Sequence, residues 1–213
     1  MAASNLPGPG LARHRVLLSV LVALAAAALY FVQHNALKYY ASFDAATYGD
    51  FWPRRWGLVA HVAGGVTAVG TGLVQLWLGL TGRIGAVHRA LGRVYVGAIV
   101  VGSAAAYYLA LTIDPKYFAY AAGLFMLSTS WVVTTGMALV AVRHRALEQH
   151  REWMIRSYTV TFAFVTFRLV ERWLLPWHLD TDDNIDIVMA WACWSVPLLL
   201  AEPLLQLRKI RRR

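Results

Sequence analysis

Six stretches of this 213-residue chain are long and apolar, at about residues 16–33, 57–80, 94–113, 118–142, 153–175 and 187–207. Each is close to the roughly 20 residues that a helix needs to cross the hydrocarbon core of a bilayer. No other feature narrows the fold as far. Lipid offers the backbone no outside hydrogen-bond partner, so spanning segments must be helices or closed barrels, and the alternation of a barrel strand is absent. Turn residues bound the stretches: Thr81-Gly82 after the second, Asp114-Pro115 after the third, Pro176 after the fifth. The fifth is the most polar, with Arg156, Arg168, Glu171 and Arg172 inside it. The pattern predicts an all-α membrane protein with six transmembrane helices. It forms a single integral-membrane domain over residues 1–213, with a flexible tail at 1–13 and a basic tail at 208–213.

The chain is basic as well as apolar. Its formal charge is +9 although 59% of its residues are hydrophobic and only 15% charged. A nucleic-acid binder would carry that charge on a polar surface that is missing here, so nucleic acid is excluded as a partner. The single cysteine, Cys193, rules out an intrachain disulfide or a CxxC zinc site. Topology accounts for most of the charge. Thirteen of the twenty Lys and Arg residues fall in the N-terminal tail, the connections after the second and fourth stretches, and the C-terminal tail. The opposite side holds Lys38, Arg54, Arg55 and Lys116, and its last loop is acidic, with Asp180, Asp182, Asp183 and Asp186. Cytoplasmic loops carry the excess of Lys and Arg, so both termini are expected inside. The first stretch ends in Tyr30-Phe31-Val32 rather than a small-x-small cleavage site, which favours an uncleaved anchor over a signal peptide. Trp52, Trp56, Trp173 and Trp177 fall where an interfacial aromatic belt is expected.

Two basic connections resemble each other. His88-Arg89 is followed by Arg93-x-Tyr95, and His150-Arg151 by Arg156-x-Tyr158, each where the chain returns to the membrane. The second and third stretches and the fourth and fifth thus read as two related hairpins in a parallel repeat. In that reading the two His-Arg units converge at the cytoplasmic end of a four-helix core, flanked by the first and last helices. Chance similarity of two basic loops is the competing explanation.

Together with His61-x-x-Gly64-Gly65, these motifs resemble a bacterial multi-pass family catalogued as domain of unknown function 2306. The likeness covers roughly residues 57–173. It implies a small bacterial inner-membrane protein and brings no activity with it. Histidines near helix ends also give a remoter similarity to di-haem membrane cytochromes. The chain departs from that pattern because its fourth stretch has no histidine in its body.

Several residues stand out as candidates. His61 lies about one turn inside the second stretch, above a face made by Gly65, Ala68, Gly72, Gln75 and Gly79. Glycines seven apart stay on nearly one stripe of a helix. They serve close helix packing, or they leave room for a planar cofactor. A charge near the bilayer centre costs roughly 2.5–3.5 kcal/mol and is expected to face a partner. Arg168, Glu171 and Arg172 therefore read either as internal ion pairing or as an outer polar pocket shared with His61. Glu202, followed by Pro203, lies at the depth of Arg156 and is a plausible pair for it. At the inner end, His88, His144 and His150 are not explained by topology, since histidine contributes little charge at neutral pH. Histidine is a haem ligand, so His88 and His150 are candidate iron ligands, with Arg89, Arg93, Arg151 and Arg156 set to neutralise propionates.

Two functions follow as expectations. One is electron transfer through bound haem b or a quinone. The other is a non-enzymatic membrane module that binds anionic lipid headgroups or a partner protein through the basic loops. No phosphate-binding glycine loop, HExxH or Ser-His-Asp arrangement is present.

Overall fold

A computed structural model describes residues 9–173 and 182–210 of the chain. The tail at 1–8, the stretch 174–181 with Pro176, Trp177 and Asp180, and Arg211, Arg212 and Arg213 lie outside the described residues. So do the side chains of Arg13, Trp173, Asp182 and Asp183. No strand occurs among the described residues, and nine α-helices do. The long ones are α1 (Pro9–Phe31), α4 (Arg55–Leu80), α5 (Ala86–Leu111), α6 (Phe118–Arg143) and α9 (Asp182–Ile210). Between α1 and α4 the chain makes a π-helical turn, two short helices, α2 (Lys38–Ala41) and α3 (Ala45–Tyr48), and a 3₁₀ segment (Gly49–Arg54).

Five helical stretches are long and apolar enough to cross a membrane: Arg15–Ala36, Ala45–Leu80, Ala86–Leu111, Pro115–Arg143 and Ile185–Ile210. The expected span at 153–175 is not among them. It falls on two shorter helices, α7 (Leu147–Thr161) and α8 (Ala163–Trp173), separated by Phe162 alone. Phe162 N–H still donates to the Tyr158 carbonyl, and Thr166 N–H to the Phe162 carbonyl, at 3.0 Å each. The rod is therefore interrupted rather than turned. Its arginines and glutamates lower its hydropathy below that of its neighbours.

The third apolar stretch, expected at about 94–113, is helical from Ala86. His88, Arg89 and Arg93 thus stand on the first turns of α5 rather than in a loop. His150 and Arg151 occupy the same place on α7. Both preceding helices end in the same cap. Gly82 has φ +73° after α4, and Arg83 N–H reaches back to the Leu78 carbonyl at 2.9 Å. After α6, Arg145 has φ +58°, its N–H donates to the Val142 carbonyl at 3.1 Å, and Ala146 N–H donates to Ala141 at 2.9 Å. A left-handed residue just past the helix lets the last carbonyls find donors and reverses the chain in very few residues. Short reversals of this kind make α4–α5 and α6–α7 antiparallel neighbours.

Helices α4, α5, α6 and α7 pack around one core, with Tyr95, Ile99, Leu127, Trp131 and Tyr158 inside. Helix α9 adds Met189 and Cys193 to the same core. Helix α1 lies outside, its Ala28 against Val69 of α4 and Val165 of α8. At the end opposite the basic turns, Tyr48 packs on Leu58 and Leu109. Its hydroxyl donates to the Tyr39 carbonyl at 2.6 Å, and Tyr40 donates to Val59 at 3.0 Å. The segment between α1 and α4 is thereby tied down over that end.

The close approach of α4 and α5 does not use the stripe Gly65, Gly72, Gly79. A Cβ on Gly65 or Gly79 would meet nothing within 4 Å. A Cβ on Gly64 would lie 2.7 Å from the Ala98 carbonyl and from the backbone of Gly102, and one on Gly57 would strike the Tyr108 ring. The contact face is rotated by about one residue, to Gly57, Gly64, Ala68 and Gly72. Gly72 belongs to both stripes, and there the rings of Tyr158 and Tyr95 occupy the place of a side chain.

Candidate functional site

The two His-Arg units stand in the first turns of α5 and α7, at the basic end of the four-helix core. His150, in the first turns of α7, has its Nδ1 2.9 Å from the Ala138 carbonyl of α6. A carbonyl can only accept, so Nδ1 carries a proton and Nε2 is the nitrogen left for another partner. His88 stands in the first turn of α5. Its Nδ1 is buried without a hydrogen-bond partner. Leaving a buried polar nitrogen unsatisfied costs roughly 1–3 kcal/mol. Gln75, buried on α4, donates its amide to the His88 carbonyl, with its nitrogen against Gly92. The turn carrying His88 is thus clamped from the neighbouring helix. Arg89 and Arg93 are exposed beside it, and His144 is exposed in the α6–α7 turn.

One and two turns deeper, polar side chains of α5, α6 and α7 form a closed ring. Trp131 Nε1–H donates to Thr161 Oγ1 at 2.7 Å. Thr161 and Ser157 each lie 2.8 Å from the Tyr95 hydroxyl. Ser157 lies 2.7 Å from Thr135, and Thr135 Oγ1 donates to the Trp131 carbonyl at 2.8 Å. Hydrogens can run one way round the ring, from Trp131 through Thr161, Tyr95, Ser157 and Thr135 back to Trp131. Thr161 Oγ1 also has the Ser157 carbonyl of its own helix as an acceptor at 2.8 Å. Tyr95 and Ser157 are fully buried. Nothing in this ring is free to hold a ligand, and it reads as the clamp that fixes α7 in the bundle. Tyr158 completes the joint by donating to the Val69 carbonyl of α4 at 3.3 Å.

The charges of α7, α8 and the end of α9 fall into two groups. Arg156 Nε and Nη2 donate to Glu202 Oε2 at 3.0 and 2.6 Å, and Gln206 donates to the other carboxylate oxygen at 2.6 Å. Glu152 stands 3.9 Å from Arg156 and 2.8 Å from Lys209. A chain of alternating charges therefore joins α7 to α9, which both meets the cost of burying Arg156 and withholds it from any ligand near His88. On α8, Arg168 pairs with Glu171 at 2.6 Å, and the Arg172 guanidinium lies over Tyr30 of α1.

His61 makes its polar contact with α5. Its Nδ1 is 3.0 Å from the Gly102 carbonyl of α5, and its ring meets Phe164 edge-on. No hydrogen bond or ion pair joins it to Arg168, Glu171 or Arg172 among the described residues. Among the sequence-based candidates Arg156 is thus held by Glu202, Arg168 by Glu171, His150 by the Ala138 carbonyl and His61 by the Gly102 carbonyl. Glu152, Thr135 and Trp131 escape sequence reasoning, and Gln75 is marked only as part of the face below His61, because a lone polar residue on an apolar helix gives no clue to which neighbour it faces. No cluster of three or more His, Cys, Asp or Glu able to hold a metal ion occurs among the described residues.

Comparison with known proteins gives one match. A family model described as "Predicted membrane protein (DUF2306)" matches residues 58–205, from α4 through most of α9. No curated protein and no solved structure matches the chain, so the remoter likeness to di-haem cytochromes has no match behind it.

Proposed function

The chain belongs to this family of predicted membrane proteins, and from that premise we propose that it is an electron carrier of the bacterial inner membrane that binds haem b at its basic, cytoplasmic end. The observation that supports this reading is that His88 and His150 stand alike in the first turns of α5 and α7. One has its tautomer set by the Ala138 carbonyl, and the other has a buried nitrogen with no partner. Haem iron takes two axial imidazoles, and a nitrogen fixed by a backbone carbonyl is the usual support for a ligating histidine. His88 and His150 would hold the iron. Arg89 and Arg93 would face the propionates, with Arg151 alongside. Arg156 has a different task, since its bond to Glu202 holds α7 against α9. Bound haem supplies one-electron chemistry. The protein's part is to hold two imidazoles at fixed separation and to keep the clamped helices from moving around them. In this proposal the α7–α8 rod is the sixth crossing, since its 27 residues reach about 40 Å at 1.5 Å per residue.

The test is a visible spectrum of protein purified in mild detergent from haem-replete cells, recorded before and after dithionite. A stoichiometric Soret band that shifts on reduction and disappears in His88→Ala and in His150→Ala is expected. Colourless protein would overturn the haem reading and favour the non-enzymatic module.

A further inference from the structure

We propose that Gln75 is the positioning residue for His88: from α4 it fixes the turn of α5 that presents the imidazole, and Gly92 is the residue that gives it access. Of the side chains that α4 buries, Gln75 is the polar one. An amide left unbonded in an apolar setting is costly, so its place is set by the acceptor it reaches, the His88 carbonyl on α5.

That carbonyl serves two donors. Within the helix it receives the N–H four residues on, from Gly92, and its second lone pair is left for another partner. A side chain four residues on runs beside the same oxygen, as the back-bonding of helical Ser and Thr shows. Gly92 has no such side chain. A Cβ there would lie 3.2 Å from the Gln75 amide nitrogen, close enough to press the amide away from the carbonyl. His88 and His150 are therefore held in different ways. His150 is fixed through its ring, by Nδ1 on the Ala138 carbonyl of α6. The Nδ1 of His88 has no partner, and its turn is tied to α4 through the backbone. This positioning stands on the contacts themselves, and its effect on a cofactor rests on the haem reading above.

The test compares variants of the full-length protein in mild detergent by NMR of ¹⁵N-labelled histidine, with the His88 signal assigned by its loss in His88→Gln. Gln75→Leu keeps the volume and removes the donor. Gly92→Ala keeps Gln75 and displaces its amide. Gly64→Ala strains the same helix pair about three turns away along α4. Cys193 is the chain's single cysteine and is buried, so reaction with a thiol dye during heating reports unfolding and shows which variants are folded. Gln75→Leu and Gly92→Ala are expected to shift the His88 signal and to leave that of His150, and Gly64→Ala to leave both. Should Gln75→Leu not fold, Gly92→Ala decides. An unmoved His88 signal would overturn the proposal, and so would an equal shift in Gly64→Ala, which would mark general loosening of α4 and α5. Haem added to haem-free protein should bind several-fold more weakly to Gln75→Leu than to Gly64→Ala, and equal binding would overturn the role at a cofactor site. Failure of the wild type to bind haem would strike the haem reading instead and leave the His88 signal to decide the role of Gln75.

Discussion

Arg145 shows how one residue can carry the geometry of a whole hairpin. It occupies the left-handed position that ends α6, φ +58°, where its counterpart after α4 is Gly82 at +73°. For an L-residue with a Cβ this conformation costs roughly 1–2 kcal/mol, partly offset by the greater unfolded-state freedom of glycine. Arg145→Gly is therefore expected to stabilise the protein by about 1 kcal/mol, read as a later midpoint for Cys193 labelling. An unchanged or earlier midpoint would mean that the arginine side chain holds the turn by another contact. At the same scale the sequence was informative about which residues matter and poor at pairing them. Arg156 with Glu202 and Arg168 with Glu171 could be anticipated from depth and helical spacing. The donation of Gln75 to the His88 carbonyl could not, because it depends on the rotation of α4 relative to α5.

At the scale of the element, α4 and α5 are held at the distance that Gly64 and Gly102 permit. Gly64→Ala would place a methyl group 2.7 Å from backbone atoms of α5, which cannot rotate away as a side chain can. A cost of about 1–3 kcal/mol is expected from overpacking, with an earlier labelling midpoint. Gly65→Ala, one residue further round the helix, meets nothing and should be neutral. Equal effects of the two would contradict the observed rotation of the helix. The heptad Gly65, Gly72, Gly79 is visible in the sequence, yet Gly57 and Gly64 are also seven apart and carry the tighter contacts. Periodicity locates a stripe but does not say which of two adjacent stripes faces the neighbour. The interruption of the rod at Phe162 was equally hidden, since nothing in Thr161-Phe162-Ala163 is a helix breaker.

At the scale of the molecule, the basic turns, the first turns of α5 and α7 and the end of α9 share one end, and the aromatic segment between α1 and α4 covers the other. In a Cys193→Ser background, His144→Cys should resist a membrane-impermeant maleimide in intact spheroplasts, and Asp50→Cys should react. The reverse pattern would invert the proposed orientation and place the His88–His150 group outside. Both probe positions are exposed, so accessibility depends on side rather than burial.

Helical class, membrane residence, the approximate segments and the asymmetry of charge were determined by the sequence alone. They follow from local composition, because lipid and the positive-inside bias act on each segment wherever the others lie. The donation of Gln75 to the His88 carbonyl, the hydrogen bonds joining Tyr95, Ser157, Thr135, Thr161 and Trp131, and the contact of His61 with the Gly102 carbonyl were decided by tertiary structure. Each depends on the rotation and depth of one helix against another. Those are set by a few close contacts, such as Gly64 on Gly102 and Gly72 under Tyr158, that no single segment encodes.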